Sequence, residues 1–293
     1  MAGRPPSSCR RDVGFALIIV LWTLVLIGFI VVHLTASGRT EIRIASNLAA
    51  NSIAEAAADG AIFEAIFNLS DPRPDRRWPV DGIARELSAD TRRVIVRVED
   101  EASWINPSSA SPEFLDALLR VTGSDPESAH RLAVAISEWV GSATSPRPQN
   151  AILAEYRAAG LDYGPPGGGP LESLDELDRV LGMTPATLAA IRSHLTLFGS
   201  QEPNPATVDP IVAAALALLA QGGPAALLAN EAPQDLLTVR ITALAAGPGN
   251  ARVIRFAVVR TGATLQRGYT VLAWGSSAET DPLFATPVAS LTR

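Results

Sequence analysis

The stretch from Phe15 to Leu34 reads FALIIVLWTLVLIGFIVVHL, and its 20 residues include neither an acidic residue nor an arginine. A helix of this length spans about 30 Å, which is the thickness of the hydrocarbon core of a bilayer. Arg10 and Arg11 precede the stretch, whereas the arginines that follow it are balanced by Glu41. This charge bias predicts a cytoplasmic N-terminus, with most of the chain on the other side of the membrane.

The helical pattern continues past the apolar stretch to about Leu69, because small or apolar residues recur there every three or four positions. They are Ile42, Ala45, Leu48, Ala49, Ser52, Ile53, Ala56 and Gly60. We predict one continuous helix of roughly 50 residues, apolar in its first half and amphipathic in its second. A cleaved secretory signal ending near residues 35–38 is the alternative. The apolar core of such a signal usually has about 7 to 15 residues, which is shorter than the apolar stretch of this chain.

The composition of the 293-residue chain excludes several classes of protein. Hydrophobic residues make up 47% and charged residues 18%, so a disordered chain is excluded. The formal net charge of −6 weighs against nucleic-acid binding. Cys9 is the single cysteine, which excludes a disulfide scaffold and a cysteine zinc site. We find no catalytic triad, phosphate-binding loop or metal-ligand spacing, so neither an enzyme nor a bound cofactor or metal is predicted.

Four segments have the β-branched and alternating pattern of strands. They are Arg93–Glu99, Leu236–Leu244, Arg252–Arg260 and Thr264–Trp274. Short Gly-rich turns separate the last three, which predicts an antiparallel meander with one face packed on the long helix. We expect Asp100 and Glu101, at the end of the first strand, to lie in a solvated turn. The fold class is therefore α+β.

The segment between the first strand and the meander has helical character and predicts an inserted domain. Ser111 and Asp209 each precede a proline, the arrangement of a helix N-cap followed by its first residue. They lie in two related motifs, beginning at Asn106 and Asn204, that we expect to be structural. Residues 174–191 resemble a DNA-binding helix-hairpin-helix, but the acidic residues around Arg179 favour a packed helical pair.

The polar leader ending in Gly14, followed by Phe15 and an unbroken apolar helix, resembles the signal of type IV pilins and type II secretion pseudopilins. In that family a prepilin peptidase cuts after the glycine and methylates the new N-terminus. The family usually has Glu as the fifth mature residue, whereas this chain has Ile19. That departure, the helix pattern from Arg39 to Gly60 and the inserted domain are similar to one branch, the minor pseudopilin K family of type II secretion.

The resemblance implies a pilin-like fold: a long transmembrane and amphipathic helix on a small antiparallel sheet, with a large all-helical insertion. It implies a non-enzymatic tip component of the periplasmic pseudopilus that helps to initiate its assembly for export of folded proteins. Its partners would be the minor pseudopilins I and J, other pseudopilins and the prepilin peptidase. It would cross the inner membrane once, with a cytoplasmic N-terminus and a periplasmic C-terminal domain. The residues expected to pack in the filament are Ile19, Leu48, Ser52, Ile53, Ala56 and Gly60.

On this interpretation the chain divides into five parts. They are a leader (1–14), a transmembrane helix (15–36), a core in two pieces (37–100 and 234–275), an inserted helical domain (101–233) and a tail (276–293). The alternatives are a minor pilin of a type IV pilus or DNA-uptake system, and a signal-anchored periplasmic protein of other function.

Calcium is a further possibility, since the family's inserted domain can bind it through acidic loops. The corresponding segment here, between Glu138 and Glu155, has small or apolar residues at the positions that are commonly Asp. Ca²⁺ takes about 6 to 8 oxygen ligands, including several carboxylates. We therefore predict that this loop holds no calcium.

Overall fold

The computed structural model describes residues 12–71, 73, 75–89, 92–141, 147–166, 168–199, 203, 208–221, 236–249 and 251–276, without the side chains of residues 12–14, 34–40, 89 and 92. It confirms the α+β fold. The helices are α1 (Asp12–Leu69), α2 (Pro112–Val121), α3 (Pro126–Trp139), α4 (Gln149–Ala158), α5 (Pro185–Arg192) and α6 (Pro210–Gln221), with 3₁₀ helices at Glu101–Ser103 and Leu174–Arg179. The strands are β1 (Arg85–Ala89), β2 (Arg92–Asp100), β3 (Leu237–Ala246), β4 (Arg252–Thr261) and β5 (Tyr269–Ser276).

The long helix α1 is continuous over 58 residues. No proline interrupts it, and alanine and leucine, both good helix formers, recur along it. Its second half packs on the sheet through a stripe of mostly small side chains. The buried residues of this stripe are Ala50, Ala54, Ala58, Ala61, Ile62, Ala65, Ile66 and Leu69.

The sheet is antiparallel throughout, with the strand order β1-β2-β3-β4-β5. The predicted meander is correct, and β1 is an additional short edge strand that the sequence pattern did not indicate. The third predicted strand of the meander begins later than expected, because residues 262–268 form a turn closed by the hydrogen bond from the Gly262 N–H to the Gly268 carbonyl (3.0 Å).

The face of the sheet that packs on α1 carries the smaller side chains of β4. Ala257 and Val259 lie in the core with the alanine stripe, whereas Phe256 and Val258 line a cleft together with the inserted domain. Small residues on both surfaces let the helix lie close to the sheet. The register shift next to Val259 places one extra residue in β5, so Tyr269 and Trp274 both reach the α1 side.

Replacing Ala58 with leucine tests this close approach. Ala58 is fully buried between α1 and the sheet. The larger side chain has no room there, so we expect a loss of about 1–3 kcal/mol of unfolding free energy. The measurement is denaturant unfolding of the full chain in detergent micelles, followed by circular dichroism. Ala56→Leu, two residues away and exposed, is the control and should change stability little. Equal effects of both substitutions would contradict this packing.

The inserted domain has a separate core built from α2, α3, α4, α5 and α6. As predicted, Ser111 and Asp209 are N-caps: the Ser111 hydroxyl accepts from the Phe114 N–H (3.2 Å), and the Asp209 carboxylate accepts from the Val212 N–H (3.2 Å). Asn106 accepts from the Ser108 N–H (3.0 Å) in the expected Asx turn. Residues 204–207, which carry the second copy of the motif, lie outside the described residues, as do residues 1–11 of the leader and residues 277–293 of the tail.

Candidate assembly surface

The first part of α1 forms an apolar rod without a covering layer in the described structure. Phe15–His33 is long and apolar enough to cross a membrane, and its side chains are exposed, including Ile19 at the fifth position after Gly14. Above it, residues 41–49 are also exposed on every side. The contact between α1 and the sheet begins at Ala50. The β3–β4 turn packs tightly there, since a Cβ on Gly247 would lie 2.5 Å from the Ala50 carbonyl oxygen.

The residues predicted to pack in the filament are exposed, except Ile53. Ser52, Ala56 and Gly60 are exposed on the side of α1 that faces away from the sheet. Leu48 is 63% exposed and precedes the part of α1 that packs on the sheet. Ile53 is half-buried. A Cβ built on Gly60 meets no atom within 4 Å, so this side of the helix is open.

Two phenylalanines extend the same side of the helix and were missed from the sequence. Phe63 and Phe67 are 52% and 74% exposed. Spacings of three and four residues place them on one face with Ser52, Ala56 and Gly60. We call these five residues the free face of α1. The small residues form its lower part, where another helix could approach closely, and the phenylalanines form its upper part.

The free face continues to the edge of the sheet. The Phe63 ring lies 5.3 Å from the Trp274 ring of β5, measured between centroids. Aromatic rings at this spacing attract one another, so the contact holds Phe63 in place while leaving half of it accessible. Continuation of the three- and four-residue spacing past Gly60 was the available sequence signal for Phe63 and Phe67.

The junction between sheet and inserted domain contains a buried carboxylate. The expectation of a solvated turn at Asp100 and Glu101 is wrong, because the two residues are only 5% and 0% exposed. Asp100 caps the 3₁₀ helix that leaves β2 by accepting from the Ala102 N–H (2.9 Å). Glu101 accepts from the Thr196 hydroxyl and from Arg240 Nε (2.8 Å).

These contacts connect three distant parts of the chain. Glu101 lies where the insertion begins, Thr196 follows α5, and Arg240 lies in β3 after the insertion ends. The Arg240 guanidinium also lies 4.6 Å from the centre of the Trp104 ring, a cation–π arrangement. We call Glu101, Thr196, Arg240 and Trp104 the junction cluster. It holds the inserted domain against the face of the sheet opposite α1.

Residues 174–191 form a compact helical pair. The 3₁₀ helix Leu174–Arg179 and α5 are joined by the ion pair between Arg192 and Asp175 (2.6 Å). This pair lowers the pKa of the Asp175 carboxyl. Arg192 thus lies beside a carboxylate, whose negative charge would repel a phosphate.

The described residues offer little support for metal or catalytic chemistry. Within the part of the chain that is described, no group of three or more His, Cys, Asp or Glu residues could hold a metal ion. His194 contacts the Asp209 carboxylate (2.9 Å), and Asp209 is the N-cap of α6, so this pair has a structural role.

Comparison with known proteins finds one family that matches part of the chain. Residues 88–200 match the family described as type II secretion system protein K. This segment of the chain is therefore similar to protein K. The match begins in β1, contains β2, and ends just after α5, so it covers the junction cluster except Arg240. No curated protein sequence matches the chain.

A solved structure extends the similarity to most of the fold. It is a chain in the crystal structure of the GspK-GspI-GspJ complex from the type 2 secretion system of enterotoxigenic Escherichia coli. The two chains are 16% identical with a TM-score of 0.52, and the similarity covers 82% of this chain and 99% of that chain. The match to the protein K family supports the role of a minor pseudopilin, and the apolar start of α1 fits a single-pass anchor.

Proposed function

We propose that the chain is a non-enzymatic tip subunit of the periplasmic pseudopilus, where it helps to start pseudopilus assembly for the export of folded proteins. The observation that carries this proposal is the match of residues 88–200 to the protein K family. The free face of α1 supports it, because an exposed helix that continues an apolar span is suited to packing beside other membrane-anchored helices.

The partners we propose are the minor pseudopilins I and J. A chain of similar fold was solved in a complex with proteins of these names. The free face offers small side chains at Ser52, Ala56 and Gly60, followed by the exposed rings of Phe63 and Phe67. Such a face suits a partner helix that lies alongside α1, with bulky side chains seated over Gly60.

The tip position is proposed from the shape of the chain and from residue 19. The inserted domain lies on the face of the sheet opposite α1, where it adds bulk that would obstruct a subunit stacked above. Ile19 supplies no carboxylate to pair with the N-terminal amine of a neighbouring subunit. We therefore propose that Ile19 and the free face pack against subunits beside and below, and that no pseudopilin lies above.

Maturation is proposed to follow the pseudopilin route. The prepilin peptidase would cut between Gly14 and Phe15 and methylate the new N-terminus, leaving residues 15–36 as the anchor in the inner membrane. The body would consist of a core (37–100 and 234–275), the inserted domain (101–233) and a tail (276–293). The N-terminus would be cytoplasmic and the body periplasmic, in agreement with the arginines before the span.

Assembly with pseudopilins I and J tests the proposal. We expect the full chain to co-purify with both proteins after co-expression, and Ala56→Arg to reduce the recovered complex by about 10-fold or more. A long charged side chain on the small part of the free face prevents close approach of a helix and costs over ~1.4 kcal/mol of binding free energy. The readout is the amount of I and J recovered per mole of tagged chain.

The matched control is Ala158→Arg, the same substitution at an exposed alanine of α4. It should leave the complex intact, and both variants should unfold at the native midpoint. Recovery of the complex with Ala56→Arg would exclude the free face as the contact, and failure of the native chain to bind I and J would overturn the proposed function.

A further inference from the structure

The connection between α3 and α4 contains two carboxylates and one guanidinium. Glu138 lies in the last turn of α3, Glu155 lies within α4, and Arg147 precedes the first residue of α4. Arg147 Nη1 is 3.4 Å from a Glu138 carboxylate oxygen. Arg147 Nη2 donates a hydrogen bond to the Glu155 carboxylate. One guanidinium therefore bridges the two acidic residues on either side of this connection.

The environment of Glu138 makes a positive charge necessary there. Its side chain is only 6% exposed, and the oxygen facing Arg147 has no hydrogen-bond donor among the described residues. Burial raises the pKa of the Glu138 carboxyl, the charge of Arg147 opposes this, and Glu155 raises the pKa further. Without a cation between them, the buried Glu138 carboxylate and the half-exposed Glu155 carboxylate would repel one another.

Backbone contacts hold the same connection in place. The Gly169 N–H donates to the Val140 carbonyl (3.0 Å), and a Cβ on Gly141 would lie only 2.4 Å from the Gly168 Cα. Gly141 also has a positive φ of 67°, which favours glycine. These contacts fix the backbone directly after Glu138, at the end of α3.

The residues of this connection do not suit the calcium that the family resemblance implies. No Asp or Glu occurs between Glu138 and Glu155 in the sequence. Both flanking carboxylates are already engaged by Arg147, whereas Ca²⁺ takes about 6 to 8 oxygen ligands. The donor set fits a guanidinium, whose several N–H groups can reach two carboxylates at once.

We propose that Arg147 is the permanent counter-ion of this connection, in the place that the resemblance gives to calcium, so that the inserted domain folds without that metal. A covalently attached cation is present at every calcium concentration and is not removed by a chelator. The consequence is a subunit whose insertion keeps its shape when external calcium falls.

Thermal unfolding of the full chain in detergent micelles tests this role, with Trp fluorescence as the signal because Trp139 is buried beside Glu138. We expect the native chain to have the same midpoint in excess EGTA and in millimolar CaCl₂. Arg147→Gln should lower the midpoint by about 2–5 °C in both buffers, a range reduced for the partial exposure of Arg147. Arg157→Gln, which removes an exposed arginine of α4, is the matched control and should have little effect.

A double variant separates charge from packing. Adding Glu138→Gln to Arg147→Gln removes the carboxylate that needs the cation, so it should recover most of the lost midpoint. A native midpoint that rises with CaCl₂ relative to EGTA would overturn the proposal. So would an Arg147→Gln chain as stable as Arg157→Gln, or a double variant no more stable than Arg147→Gln. These measurements are independent of whether the chain assembles with pseudopilins.

Discussion

Gly14→Ala should leave the chain uncut when it is expressed with a prepilin peptidase. The proposed cleavage requires glycine at this position. The methyl group of alanine would add bulk next to the bond to Phe15, where the peptidase must bind the chain. Mass spectrometry of the native chain should find a mature protein that begins with N-methylated Phe15. In the variant we expect this species to be lost and the intact leader to remain.

The control for this substitution is Gly28→Ala. Gly28 lies in the apolar span, and a Cβ there meets nothing within 4 Å, so the helix accepts the methyl group and processing should continue. A chain that begins after Ala36 or Gly38 would indicate a secretory signal peptidase. That result, or an intact native chain unaffected by the peptidase, would contradict the pseudopilin route.

Glu101→Ala should be among the most destabilising substitutions in the chain. It removes a fully buried carboxylate that accepts from Thr196 and Arg240, and it leaves both donors without that partner. Breaking a buried ion pair typically costs about 3–5 kcal/mol. Arg240 is 31% exposed and can recover part of this in water, so we expect a loss of about 2–4 kcal/mol of unfolding free energy.

Denaturant unfolding in micelles measures this loss, and Trp104, which lies against Arg240, reports on the junction by fluorescence. The matched control is Glu86→Ala, which breaks the exposed ion pair between Glu86 and Arg93. Exposed pairs contribute roughly 0–1 kcal/mol, so this change should be small. If Glu101→Ala costs no more than Glu86→Ala, the junction cluster does not hold the two domains together.

The sequence predicted where the helices and strands lie better than it predicted which side of each one packs against the rest of the protein. A proline-free helix and alternating β-branched strands are local patterns, and α1 and β2 to β5 follow from them. The faces depend on what packs against them. The alanine stripe of α1, rather than the stripe containing Ser52 and Ala56, meets the sheet, and Ala54 and Ala58 share a core with valines of β2 and β3. Both stripes have helical spacing, so periodicity alone could not distinguish them.

Sequence patterns could not predict the polar contacts between residues that are far apart in the chain. Thr196 and Arg240 lie 95 and 139 residues from Glu101 along the chain. Nothing local to Asp100 and Glu101 distinguishes a buried junction from a turn in water. The short strand β1 was missed for a different reason: its five residues include Arg85, Glu86 and Ser88, which weaken the pattern of a strand at the edge of a sheet.

The unbroken α1 has a mechanical consequence. From the end of the span at His33 to the first sheet contact at Ala50, the helix rises roughly 25 Å, and it then passes straight into the packed body. A helix without a hinge transmits displacement along its axis. Moving the anchor along the helix axis by one helical turn, about 5.4 Å, would therefore move the sheet and the inserted domain by the same distance.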